Sequence, residues 1–231
     1  MPLQTCGLSA EDAGMPNPRQ IVLAVYPGVE LLDVTGPAEV FTAASRLIGA
    51  AGRGYDVRLA SRDPGEVQTA AGVRLVADTI WTEVRPGVDT LLIPGAVRFG
   101  AQAAEAVVDT DLVSWVHAMA PRTRRIAAVC AGAHVLAACG LLDGQTATTH
   151  WCTAPALAKE HPEVIVDPDP IFVQAGRVWT CAGGSSAMDL ALALVAEDHG
   201  QATALRIARW LVMYLKRPGG QSQFFAPIRS V

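Results

Sequence analysis

The chain has 231 residues, 51% of them hydrophobic and 17% charged, with a formal net charge of −4. That is enough apolar material for one sizeable α/β core. The acidic balance argues against a chain that grips DNA by a basic face of its own, and no apolar run approaches a membrane span. Five cysteines, an odd number without framework spacing, point to a reducing compartment and hence the cytoplasm, not to a disulfide scaffold.

Residues 1–18 lack a basic start followed by an apolar core, so they read as a disordered lead and not as a signal peptide. Ile21 to Val25 is a continuous β-rich run, the pattern of a strand buried on both faces. Pro37 suits the first turn of a helix running to about Ile48. That leaves Asp33, set among Leu31, Leu32 and Val34, in the loop before it, either as a solvated acid or as a partner for something buried. Tyr55–Ser61 alternates with period two and reads as a strand; 65–76 reads as a hairpin or extended excursion. Thr90–Ile93 is a further buried strand, stopped by Pro94 and Gly95, and 109–119 has helical spacing of Leu112, Val113, Trp115 and Val116.

The central motif follows. An apolar strand from Arg124 ends at Cys130; Ala131 and Gly132 come next, then a helix-period pattern closed by Gly140. This is a strand–elbow–helix, the thiol counterpart of the G-x-S-x-G turn. A helix N-terminus aimed at the sulfur predicts a thiolate; a buried cysteine that only packs is the other reading. Beyond it, 152–160 reads as a short helix, and 164–166, 171–173 and 178–180 as short strands with a tight turn at Ala175-Gly176. Gly183-Gly184-Ser185-Ser186 opens a helix through Ala196 with a hydroxyl as N-cap, and 201–214 is a final amphipathic helix. The alternation predicts a mostly parallel sheet covered by helices on both faces, without repeats or a domain-scale linker.

With Cys130 on its elbow and Thr148-Thr149-His150 beyond it, the chain resembles the ThiJ/PfpI superfamily over roughly residues 19–199. Asp33-Val34-Thr35-Gly36-Pro37 with Glu39-Val40-Phe41, and Gly140-Leu141-Leu142-Asp143-Gly144 leading into Ala147-Thr148-Thr149-His150-Trp151, narrow the likeness. They resemble the branch that holds isonitrile hydratases and the N-terminal domains of GlxA-type AraC-family transcriptional regulators. The resemblance implies a flavodoxin-like, class I glutamine amidotransferase-like fold with a nucleophile-elbow cysteine. Arg217-Pro218-Gly219-Gly220-Gln221-Ser222-Gln223-Phe224 is similar to the segment joining the regulators' sensor domain to their helix-turn-helix domain. The domain is therefore expected over 19–217, with 218–231 as the start of a linker to a helix-turn-helix domain outside this chain.

By resemblance, Cys130 takes the nucleophile position, Asp33 the acid facing it, and His150 the histidine near the cysteine. For His150, a core histidine with a backbone partner is the competing reading. Whether Asp33 is protonated or ionised is left open by the sequence; a protonated acid donates to a thiolate and an ionised one opposes it. Gly95 and Ala96 would offer an oxyanion site if their loop approaches Cys130. Ala131 departs from the family, bringing only its backbone N–H where hydratase-like members carry a hydroxyl. Thr180-Cys181-Ala182-Gly183-Gly184 lacks the His-x-Glu pair of a full amidotransferase triad. Gly95, Ala96, Ala131 and Cys181 are the expected ligand-contacting residues. His134 reads as a packed helix side chain more than a pocket residue. Cys6 and Cys139 have no visible role, and a zinc site from Cys130, His150, Cys152 and Cys181 lacks supporting spacing. Asp189, Glu197 and Asp198 are expected on a solvated or interface face of their helix.

The expectation is a non-enzymatic sensor domain of an AraC-type regulator, with a small-molecule pocket around Cys130, no metal or cofactor, and DNA contacted only through the further domain. A homodimer is implied by resemblance, and an apolar stripe on 201–214 would suit it. The alternative is an isonitrile hydratase-like hydro-lyase using Cys130 and Asp33. A deglycase or chaperone-like protein is a weaker third, disfavoured by the Gly-Gly-Gln segment.

Overall fold

The computed structural model describes residues 17–49, 53–100 and 104–224. The expected lead lies almost wholly outside the described residues, as do Cys6 and 225–231. In chain order the elements are β1 (Arg19–Ala24), α1 (Leu31–Ile48), β2 (Tyr55–Ser61), β3 (Glu66–Gln68), β4 (Arg74–Val76), β5 (Thr79–Ile80), β6 (Thr90–Ile93), β7 (Val97–Phe99), β8 (Ala104–Ala106), α2 (Thr110–Met119) and β9 (Arg125–Val129). They continue with α3 (Gly132–Ala138), β10 (Thr146–Ala147), α4 (Ala154–Glu160), β11 (Ile165–Val166), β12 (Phe172–Ala175), β13 (Val178–Cys181), α5 (Ser186–His199) and α6 (Gln201–Trp210). A short 3-10 turn, Gln221–Phe224, closes the described chain.

Seven strands form the main sheet in the order β12-β13-β9-β6-β1-β2-β5. All its pairs are parallel except β12 with β13. The sheet grows one way from β1 to β2 and the other way from β6 to β9, so right-handed crossovers place α1 and α2 on opposite faces. Helices α1, α5 and α6 pack on one another, and α2 packs on α3. Strands β6 and β9 are buried along their whole length, as their apolar runs require of strands covered on both faces. The order reverses between β1 and β6, so the loops leaving these strands flank a switch point at the carboxyl edge, where open α/β sheets bind ligands.

Several expectations are corrected. Helix α1 begins at Leu31, six residues before Pro37, so Pro37 lies inside the helix and Asp33 in its first turn, not in a loop. The chain from Tyr26 makes a β-bridge between Val29 and Ala96 and donates Glu30 N–H to Gly95 O at 2.8 Å, so the helix starts where the loop is pinned. Helix α6 stops at Trp210; Val212 has φ +55°, a left-handed conformation that ends it four residues early. Its buried side is Ala204, Ile207 and Ala208, with Leu205 and Trp210 exposed.

Asp189 and Asp198 are not on a solvated face. Asp198 and Arg125, each 2% exposed, meet at 2.6 Å; Arg124, Arg19 and the Tyr55 hydroxyl also reach Asp198. This network ties the last turn of α5 to the amino ends of β1, β6 and β9, and the arginines hold the Asp198 carboxyl below its ordinary range against the opposing effect of burial. The packed unit also runs past residue 217. Gln221 is buried, and residues 218–224, expected as linker, lie against the domain.

Candidate functional site

Cys130 leaves β9 with φ +56°, a conformation uncommon outside glycine, and α3 starts two residues later. The corner is fixed from three sides. Cys130 N–H donates to Cys181 O at 3.0 Å, while its carbonyl accepts from Ala133 N–H at 3.3 Å and from the Thr149 hydroxyl at 2.8 Å. Two glycines make the turn possible. A Cβ on Gly132 would stand 2.1 Å from Ile93 O, and one on Gly183, whose φ is +91°, would stand 2.2 Å from Cys130 Cβ. The sulfur therefore sits in a wall of backbone, and Cys130 is 4% exposed.

Asp33 is completely buried beside it. One carboxylate oxygen accepts from Gly184 N–H at 2.7 Å and the other from Gly95 N–H at 3.2 Å. These donors come from the start of α5 and from the loop after β6, so the acid joins both sides of the cleft from the first turn of α1. Burial pushes the Asp33 carboxyl up to about 7, against the two N–H groups and a hydrogen bond from the Cys130 thiol, which favour its ionised form. Burial also pushes the Cys130 thiol well up, with the Asp33 charge adding to it and the Ala131 N–H opposing. Both burial and the Asp33 charge therefore favour the thiol at Cys130 over the expected thiolate. A seven-residue helix α3 does not overcome removal from water and a neighbouring carboxylate.

His150 is not paired with Cys130. Its Nδ1 lies 2.9 Å from Cys152 Sγ and accepts from Cys152 N–H at 3.3 Å, and burial lowers its pKa. Gly95 does approach Cys130, but its N–H is taken by Asp33. The Ala96 carbonyl accepts from Val107 N–H. Ala96, Ala131 and Cys181 are buried, and burial raises the Cys181 thiol to about 12. His134 is buried in the core with its Nδ1 3.9 Å from Glu160. Among the described residues no group of three or more His, Cys, Asp and Glu could hold a metal ion.

Open space lies on the far side of Gly183. A cavity of about 250 Å³ is lined by His150, Ala182, Gly183, Ser185 and Ser186 together with Arg217, Gln221 and Phe224; Cys130 and the expected ligand contacts Gly95, Ala96, Ala131 and Cys181 are not in its lining. The contribution of Arg217, Gln221 and Phe224 was missing from the sequence reading. Arg217 grips Asp189 with both Nε and Nη2 and reaches the Ser185 hydroxyl at 3.2 Å, so Ser185 accepts from Arg217 instead of capping α5. The Gln221 amide nitrogen donates to Thr148 Oγ1 at 3.1 Å, Thr149 O at 3.0 Å and Pro170 O at 3.2 Å; its oxygen accepts Trp151 N–H at 2.9 Å. Thr149 in turn holds the Cys130 carbonyl, so Gln221 stands two hydrogen bonds from the cysteine backbone. A glutamine in a Gly-Gly-Gln-Ser-Gln run gives no sequence signal of this burial.

At the carboxyl edge of a mostly parallel α/β sheet, an acid in the first helix thus faces a cysteine on a strand–turn–helix corner. The chain belongs to the DJ-1/PfpI family, whose model matches residues 19–197. It is 28% identical over 196 residues to the HTH-type transcriptional regulator GbdR of Pseudomonas aeruginosa, covering 85% of this chain and 51% of that protein. It is 30% identical over 185 residues to the isonitrile hydratase of Pseudomonas putida, covering 80% of this chain and 74% of the enzyme. The crystal structure of an AraC family transcriptional regulator from Pseudomonas putida superposes with a TM-score of 0.72 at 20% identity, covering 84% of this chain and all of that one. The chain spans about half the length of the regulator GbdR.

Proposed function

We propose that this domain is the ligand-sensing part of an AraC-type transcriptional regulator, that it does not turn over its ligand, and that a small molecule binds in the cavity beside Cys130. The observation that carries this is the shared cavity. Gly183, which packs directly on Cys130, and the segment that leaves the domain face the same 250 Å³ space. A ligand there would contact Arg217, Gln221 and Phe224 directly. Differential affinity for two arrangements of that segment is what a sensor needs. In a regulator of GbdR's length the segment leads toward the other half of the protein, through which DNA would be bound. A cytoplasmic homodimer is the assembly we expect.

The site supports binding better than turnover. Burial and the Asp33 charge favour the thiol form of Cys130, His150 is engaged with Cys152, and Ala131 brings no side-chain donor. Asp33 is the group left to act as a base, and its oxygens are already engaged by the Gly184 and Gly95 N–H groups, which leaves the thiol weakly activated. The likeness to isonitrile hydratase favours a second reading, in which Asp33 moves protons for addition of water to an isonitrile.

Two measurements separate them. The wild-type chain and Cys130→Ser are screened by thermal shift against a panel of small metabolites; the sensor reading expects hits whose affinity changes in Cys130→Ser with the fold intact. Identical affinities in both would remove Cys130 from the ligand site. Incubation with an alkyl isonitrile is expected to yield no N-substituted formamide above the level of Cys130→Ala; formation of product by wild type alone would establish the hydratase reading.

A further inference from the structure

The loop between β10 and α4 holds a second thiol whose surroundings differ from those of Cys130. Cys152 is half-buried, whereas Cys130 is 4% exposed. His150 Nδ1 stands 2.9 Å from Cys152 Sγ and accepts Cys152 N–H at 3.3 Å. A backbone N–H aimed at Nδ1 marks that nitrogen as the acceptor, so the ring carries its proton on Nε2. In the contact with sulfur the thiol is therefore the donor. This is the geometry of a nucleophile and its base: a neutral imidazole nitrogen already in contact with the proton that must leave. Among the described residues no hydrogen bond joins a histidine to Cys130, which has a carboxyl group beside it instead. Desolvation keeps His150 neutral and so able to accept a proton at neutral pH. Desolvation raises the Cys152 thiol, so the pair rests uncharged and the proton crosses only as the sulfur attacks.

We propose that Cys152, with His150 as its base, is a covalent modification site that takes small soft electrophiles of the α,β-unsaturated carbonyl class ahead of Cys130. Sγ bonds to the β carbon of the alkene as its proton passes to Nδ1. The π electrons move to the α carbon and carbonyl as an enolate, which is protonated by the imidazolium. No group leaves and no oxidant is needed. The site shares His150 with the lining of the proposed ligand cavity but does not require Cys130 to bind or turn over a ligand. It is coupled to the exit segment, because Trp151, between His150 and Cys152, donates its N–H to Gln221.

The test is a time course of labelling with substoichiometric N-ethylmaleimide at pH 7 in a Cys6→Ser background, read by peptide mapping. Cys152 is expected to label at least tenfold faster than Cys130, Cys139 or Cys181. Cys152→Ser removes the fast phase, and His150→Gln slows labelling of Cys152 at least tenfold. Cys130 labelling first, or an unchanged Cys152 rate in a folded His150→Gln, overturns the proposal. If His150→Gln loses its cooperative melt, the order of labelling among the four wild-type thiols decides alone.

Discussion

Asp33→Asn tests the electrostatics of the site where its sign is least intuitive. A carboxyl raised to about 7 in the folded chain, against roughly 3.9 unfolded, binds its proton more tightly when folded. The unfolded state then loses that proton first as pH rises. Stability from Asp33 is greatest in acid and is lost upward through this window, at up to about 1.4 kcal/mol per pH unit. Between pH 5 and 7.5 the sum is about 2–3 kcal/mol. Asparagine does not titrate. It leaves one of the Gly95 and Gly184 N–H groups facing an NH2, a pH-independent cost of roughly 1–3 kcal/mol. Urea unfolding of both proteins at pH 5, 6, 7 and 7.5 gives the difference in stability. The wild type's advantage should shrink by about 2–3 kcal/mol across the range. A constant difference, or a wild type that gains on the variant as pH rises, would mean an Asp33 ionised throughout and held by its two N–H donors, and would refute the reasoning.

Gln221→Ala strands the buried Thr149 carbonyl and removes the acceptor of the part-buried Trp151 N–H bond; a loss of roughly 1–3 kcal/mol by chemical denaturation is expected. Cleavage by trypsin after Lys216 should rise in the same variant, whereas an unchanged digest would mean that the segment is not held by Gln221. Gly183→Ala brings a Cβ within 2.2 Å of Cys130 Cβ at φ +91° and should cost about 3 kcal/mol or more, visible as a lower Tm. Arg125→Met removes the buried partner of Asp198 and should destabilise by roughly 3–5 kcal/mol, a loss that a second change, Asp198→Asn, should partly recover. A double mutant no more stable than Arg125→Met would assign that cost to lost packing.

The sheet was legible because its strands are short apolar runs stopped by glycine and proline: Ile21 to Val25, Thr90–Ile93 before Pro94, and the run ending at Cys130. The Cys130 corner was legible for the same reason, since Ala131 and Gly132 leave only one tight way into a helix. What the sequence could not reveal depends on contacts between distant residues. Nothing local distinguishes Asp33 as the acceptor of Gly95 and Gly184, 62 and 151 positions away. The thiolate expectation rested on the local helix and omitted the burial that overrides it. His150 was placed near the cysteine by its motif, yet its nearest thiol is Cys152, two residues on. Residues 218–224 look like a linker in composition, and it is the fit of one glutamine against Thr148, Thr149, Trp151 and Pro170, with backbone bonds to Asp169, that makes them part of the domain.

The central claim is that occupancy of the cavity beside Cys130 is felt by the segment that leaves the domain. Hydrogen–deuterium exchange on the chain, with and without a compound that raises its Tm, tests it directly. The account predicts a change in protection in two stretches, 148–152 and 217–224. A compound that stabilises the chain while leaving exchange in both stretches unchanged would contradict it.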